Sequence, residues 1–143
     1  MRTLLPEGWP RPKGYANGIE AEGRLVFVAG QIGWDTEGRF PDGFAAQVRR
    51  TLENTLAVLR EAGAGPEHVA RMTWYVTDKA AYLASVRELG AIWRELMGPH
   101  YPAMAVVAVT ALMETDFNIS ETARRLGLHR RTLARKLAKR PVN

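Results

Sequence analysis

The densest group of chemically capable side chains lies near the C-terminus, where Arg130, Arg131, Thr132, Arg135 and Lys136 fall close together. Placed on a helix whose buried stripe is Leu133 and Leu137, four residues apart, these groups occupy the outward faces. Such a face neutralises phosphates, and its leading residues suit base edges in a major groove. From Asp116 to Asn143 there are eight Lys/Arg against two acids, whereas residues 1–115 carry twelve against thirteen. The net charge of +5 therefore comes from the tail. Elsewhere the reactive types are scattered. His68, His100 and His129 have no metal-ligand spacing and read as surface or loop residues. Asp35, Glu37 and Asp42 share a Gly-rich loop without the ligand order of a calcium loop, and read as a solvated turn. Gly63-Ala64-Gly65 follows a helix rather than a strand, which argues against a phosphate loop. With no cysteine, disulfides, thiolate metal sites and cysteine nucleophiles are excluded.

The elements that must position these residues fit one domain of 143 residues, 46% hydrophobic and 24% charged. The apolar run before Pro6 is too short for a signal peptide or a membrane span, so a cytoplasmic location is expected. Residues 1–14 read as an irregular lead-in. Tyr15–Glu20 and Leu25–Gly30 flank a short turn and predict a β-hairpin. The second arm, Leu25-Val26-Phe27-Val28-Ala29, is continuously apolar and predicts a strand buried on both faces. Gly30 to Gly43 reads as a loop. Phe44, Val48, Leu52, Leu56 and Leu59 form one helical stripe over 44–62, closed by Gly63. Val69–Thr77 predicts a strand, and Asp78 can cap a helix over 79–97 with the stripe Tyr82, Val86, Leu89, Trp93 and Leu96. Tyr101–Leu112 holds the next strand. Trp74 and Trp93 read as packing residues, and Trp34 as a cleft-rim residue. The order β-β-α-β-α-β predicts an α+β architecture, with two helices on one face of a single sheet.

This order, together with Tyr15-Ala16-Asn17-Gly18, Val28-Ala29-Gly30-Gln31-Ile32 and Tyr101-Pro102-Ala103, resembles the Rid (reactive intermediate deaminase, YjgF-like) family over residues ~10–113. The resemblance implies a chorismate-mutase-like fold, a homotrimer, and small-molecule ligand clefts between subunits. It also implies hydrolysis of reactive enamines and imines with no metal or organic cofactor. In that family an arginine after Pro-Ala grips the substrate carboxylate with its guanidinium fork. Here that residue is Met104. The glutamate of the family's final strand, which helps position water, falls on Ile119 in an ungapped alignment. The serine of the family's Ser-Gly-Gln is Ala29. The ligand-cleft positions that transfer are thus Tyr15, Ala29, Gly30, Arg87 and Met104, with no catalytic residue assigned. Two readings stand for three of them. Tyr15 is a cleft residue or a core or interface tyrosine. Gly30 is a ligand contact or a tight strand exit. Arg87 borders the cleft or is an exposed helical arginine.

The run Asn118-Ile119-Ser120-Glu121-Thr122-Ala123-Arg124-Arg125-Leu126, then Gly127-Leu128-His129-Arg130-Arg131-Thr132-Leu133, resembles a Fis-like helix-turn-helix, as found at the end of response regulators. Asn118 or Ser120 can cap its first helix, Ala123 allows close helix approach, and Gly127 permits the turn. The expected organisation is a Rid-like domain over 1–113 and a basic tail over 114–143, joined near Met113–Thr115. Two functions follow as expectations: a Rid-like small-molecule-binding protein whose enamine or imine hydrolysis is weak or altered, or a DNA-binding regulator with the Rid-like body as sensor or multimerisation domain.

Overall fold

The computed structural model describes residues 1–109; the expected helix-turn-helix lies outside them. Two helices supply most of the core. Helix α1, Phe44–Glu61, buries Ala45, Leu52, Leu56 and Leu59, the spacing of a single helical stripe. It ends on Gly63 at φ 67°. There Ala64 N–H reaches back to the Leu59 carbonyl at 3.0 Å and Gly63 N–H to the Arg60 carbonyl at 2.9 Å, the paired closure that a left-handed glycine permits. Helix α2, Lys79–Met97, starts where Asp78 accepts a hydrogen bond from Ala81 N–H at 2.9 Å. It stops at Gly98-Pro99, with Gly98 at φ 63°. Arg49 on α1 donates a two-pronged hydrogen bond to the Glu95 carboxylate on α2, at 2.7 and 2.5 Å, and so clips the helix pair at its surface.

Strands β1, Arg2–Leu4, and β2, Gly18–Glu20, pair antiparallel. Strands β3, Arg71–Val76, and β4, Ala103–Ala108, pair parallel, with Arg71 opposite Ala103 and Val76 opposite Ala108. Parallel neighbours need a long crossover, and α2 provides it. Met72, Trp74 and Met104 pack from this sheet onto the core that Leu52, Leu89, Ile92, Trp93 and Met97 build. On the other edge of β4, Ala16 bridges Ala103, and its N–H donates to the Pro102 carbonyl at 2.9 Å.

Both helices, the capping by Asp78 and strands within 69–77 and 101–112 match the sequence reading. Four expectations need correction. The lead-in is not wholly irregular, because Arg2–Leu4 is the partner of Gly18–Glu20. The expected hairpin with Leu25–Gly30 does not form. Residues 25–29 form no strand, and Leu25 and Phe27 are 76% and 89% exposed rather than buried. The segment is held at its ends instead: Arg24 donates to the Ala62 carbonyl at 2.6 Å, and Asn54 donates to the carbonyls of Ile32 and Trp34 at 3.0 and 2.9 Å. Among the described residues the strands form two pairs rather than one sheet. Helix α2 buries Leu89 and Trp93 of the expected stripe together with Ile92 and Met97 on the same face, while Val86 is half exposed. By helical periodicity Val86 lies on the same face as Leu89, Trp93 and Met97, and it lines a cavity beside the core.

Candidate functional site

Between α2 and the β3–β4 pair lies a cavity of about 510 Å³. Its floor is Trp74, Met104 and Val106, which side-chain alternation along the two registered strands directs to one face. Its wall is the α2 face from Tyr82 to Trp93. Tyr101 closes one end and stacks on Trp93, with planes 9° apart and centroids 5.7 Å apart. Trp74 packs on the same indole at 6.2 Å. Trp93 is fixed further by donating its indole N–H to the His100 carbonyl at 2.9 Å. The Ala16 bridge to β4 brings Lys13, Gly14 and Tyr15 to the cavity mouth.

The mouth is cationic. Arg94 lines it from α2, as does Lys13 from the N-terminal segment. Arg94 is exposed, and its guanidinium lies back over Gly90, whose missing Cβ would sit 3.6 Å from Nη1. That direction is the normal one, since helical side chains lean toward the N-terminus. Positions three and four residues from Arg94 are Gly90, Ala91, Met97 and Gly98, so no carboxylate stands at helical spacing. Glu95 is engaged by Arg49, whose guanidinium holds its carboxyl below the usual carboxylate range. Among the described residues no carboxylate lies within 4.0 Å of Arg94 or Lys13. Glycine inside a helix costs about 1 kcal/mol relative to alanine. A Cβ at position 90 would make an ordinary contact with Nη1, so what the glycine changes is the height of the cavity wall.

Of the site residues expected from sequence, the structure brings Tyr15 and Met104 together in this cavity. Tyr15 is 45% exposed and therefore not a core residue of this chain. Ala29 and Gly30 line a different, larger cleft of about 1,410 Å³, which separates residues 21–33 from α1 and β3. Nothing lies within 4 Å of where a Gly30 side chain would begin. Arg87 is exposed on α2 and lines neither space. Trp34 also lines neither, and sits 6.5 Å from Phe40. Arg130, Arg131, Thr132, Arg135 and Lys136 lie outside the described residues.

Among the described residues no group of three His, Cys, Asp or Glu side chains could hold a metal ion. His100 is half-buried, its Nε2 at 2.7 Å from the Val69 carbonyl, and His68 Nδ1 accepts from Gly65 N–H at 3.0 Å. The acidic loop is closed on itself. Asp35 accepts from Arg39 and from the Glu37 and Arg39 backbone, which lowers its pKa. No helix among the described residues is long and apolar enough to cross a membrane.

Sequence reading missed three residues. Lys13 and Arg94 carry no motif, but Gly90 inside an otherwise strong helix was a usable signal. Asn54 was the third: its amide ties the 32–34 loop to α1. The glycine that packing demands is Gly33, not Gly30, because a Cβ on Gly33 would lie 2.6 Å from the Gln47 carbonyl oxygen.

Comparison with known proteins adds an independent line. The profile of the endoribonuclease L-PSP family matches residues 10–124, running past the junction expected near Met113–Thr115. A RutC family protein of Pyrococcus abyssi is 35% identical over 113 residues, covering 77% of this chain and 85% of its own. One from Aquifex aeolicus is 35% identical over 97 residues, 66% and 74% of the two chains. Among solved structures, the Rid-family protein YyfB of Yersinia pestis superposes with a TM-score of 0.60 at 33% identity, covering 79% of this chain and 90% of that one. Escherichia coli TdcF, solved with bound serine, gives a TM-score of 0.57 at 27% identity, with coverage of 80% and 90%.

Proposed function

Given that the chain belongs to the Rid/YjgF/L-PSP (RutC) family and shares its chorismate-mutase-like α+β fold, we propose that it is a small-molecule-binding protein in which imine hydrolysis is weak. The observation that carries this reading is Met104. It occupies the position after Pro102-Ala103 where the resemblance places a carboxylate-gripping arginine, and it packs against the hydrophobic core. A thioether offers no guanidinium fork. The ligand enters the cavity between α2 and the β3–β4 pair, with Tyr15 at its mouth. Bound serine in TdcF supports small-molecule binding as a property of relatives. Tyr15, Ala29, Gly30 and Arg87 remain candidates for clefts completed by neighbouring subunits of a homotrimer. Tyr75 and Val107, exposed at 57% and 41%, share the sheet face turned away from the helices and suit such an assembly. A direct assay tests the hydrolase element: 2-aminoacrylate-type imines should be turned over only slowly above the rate in buffer, and efficient turnover refutes the role given to Met104.

A second reading rests on the tail. Its eight basic residues against two acids and its helix-turn-helix pattern suit a DNA-binding regulator with the Rid-like body as sensor. That reading requires binding that weakens steeply with salt and is lost in Arg130→Ala/Arg131→Ala. DNA affinity unchanged by deleting residues 116–143 rules it out.

A further inference from the structure

We propose that the α2 cavity takes a bicyclic aromatic monocarboxylate, and that Arg94, assisted by Lys13, is the anion-binding residue of this chain. The proposal rests on the reading of that cavity as the ligand site. It goes further by naming the ligand's chemistry and a residue outside the motif positions.

Size argues for a ligand larger than a three-carbon amino or imino acid. A cavity of about 510 Å³ lies in the ordinary range for organic ligands, roughly 300–1,000 Å³, and a three-carbon acid would leave most of it empty. The interior surface supplies flat, apolar contacts from Trp74, Leu89, Trp93 and Met104, which suit a fused ring system. The polarity is one-sided. Arg94 and Lys13 line the cavity, and no acidic side chain does. Both cations lie free of carboxylate partners within 4.0 Å among the described residues. A guanidinium without a carboxylate partner, at the edge of an aromatic cavity, is matched by a carboxylate on an aromatic body. Gly90 adds a separate observation. A methyl group there would approach the Arg94 Nη1 at 3.6 Å and narrow the wall, while helix propensity alone favours alanine.

Calorimetric titration of the full chain with 2-naphthoate, its neutral isostere 2-naphthamide and 2-naphthyl phosphate tests the assignment. The expected result is naphthoate binding at least tenfold tighter than the amide, with that preference abolished in Arg94→Gln and reduced in Lys13→Gln. Gly90→Ala should melt at a higher temperature than the parent yet bind naphthoate several-fold more weakly, which separates loss of the site from loss of the fold. Equal binding of acid and amide, an undiminished preference in Arg94→Gln, or tighter binding of the phosphate overturns the carboxylate–Arg94 pairing while leaving the cavity a ligand site. Failure of all three compounds to bind overturns both the pairing and the reading beneath it.

Discussion

Trp93 of α2 and Tyr101, just ahead of β4, stack with ring planes 9° apart and centroids 5.7 Å apart. The stack joins the end of the crossover helix to the start of the strand it feeds. It also forms one end of the cavity between α2 and the β3–β4 pair, so the same contact serves stability and cavity shape.

Trp93 is 5% exposed, and its indole N–H satisfies the His100 carbonyl. Replacing Trp93 with alanine should lower unfolding free energy by about 3–5 kcal/mol, the usual cost of deleting a buried aromatic. Trp93→Phe should cost less, about 1–3 kcal/mol, because most of the packing survives and the carbonyl loses its donor. Urea denaturation measures both, and equal costs for the two variants would show that packing at this site does not matter.

Gly33 and Gly30 should separate sharply. A Cβ on Gly33 would meet the backbone of Gln47, at 2.6 Å from its oxygen and 2.8 Å from its Cα, and a helix backbone has little freedom to yield. Gly33→Ala should therefore destabilise by about 1–3 kcal/mol. At Gly30 nothing lies within 4 Å, so Gly30→Ala should change stability by no more than about 0.5 kcal/mol. Thermal melts of the two variants side by side check this, and a Gly33→Ala melt matching the parent would contradict it.

The Arg49–Glu95 clip should give stability an acid dependence. Hydrogen bonding by Arg49 lowers the Glu95 pKa on folding. A depressed folded-state value stabilises the protein above the unfolded carboxylate pKa, and the contribution is lost as pH falls through the folded one. Parent and Arg49→Gln should therefore differ in melting temperature near neutrality and converge in acid, below the ordinary carboxylate range. A difference that persists in acid would assign the effect to lost packing of the arginine stem instead.

The parts of this fold legible in sequence are those written in local periodicity. Leu52, Leu56 and Leu59 announce the buried face of α1, and Asp78 announces the start of α2, because each signal lies within a turn or two of chain. Strand partners were not legible. Leu25–Ala29 is as apolar as any strand, yet a continuous apolar run carries no alternation to fix a face and nothing to name a partner. The helix between β3 and β4 is the crossover that their parallel pairing needs, whereas the pairing of Arg2–Leu4 with Gly18–Glu20 had no comparable cue. Of the residues that line the cavity, Tyr15 and Met104 were named from sequence through their place beside recognisable motifs. Arg94 was hidden because a charged residue on an amphipathic helix is ordinary, and only its missing carboxylate neighbours and Gly90 mark it out.

The central claim is that a ligand enters between α2 and the β3–β4 pair. The chain has four tryptophans, and only Trp74 and Trp93 line that cavity, while Trp9 and Trp34 are exposed elsewhere at 59% and 48%. Their indole N–H resonances therefore make a site-resolved test. Titrating 2-naphthoate into the full chain should shift the Trp74 and Trp93 signals together and saturably, leaving those of Trp9 and Trp34 in place. Shifts confined to Trp9 or Trp34, or no shift at any of the four, would contradict the claim.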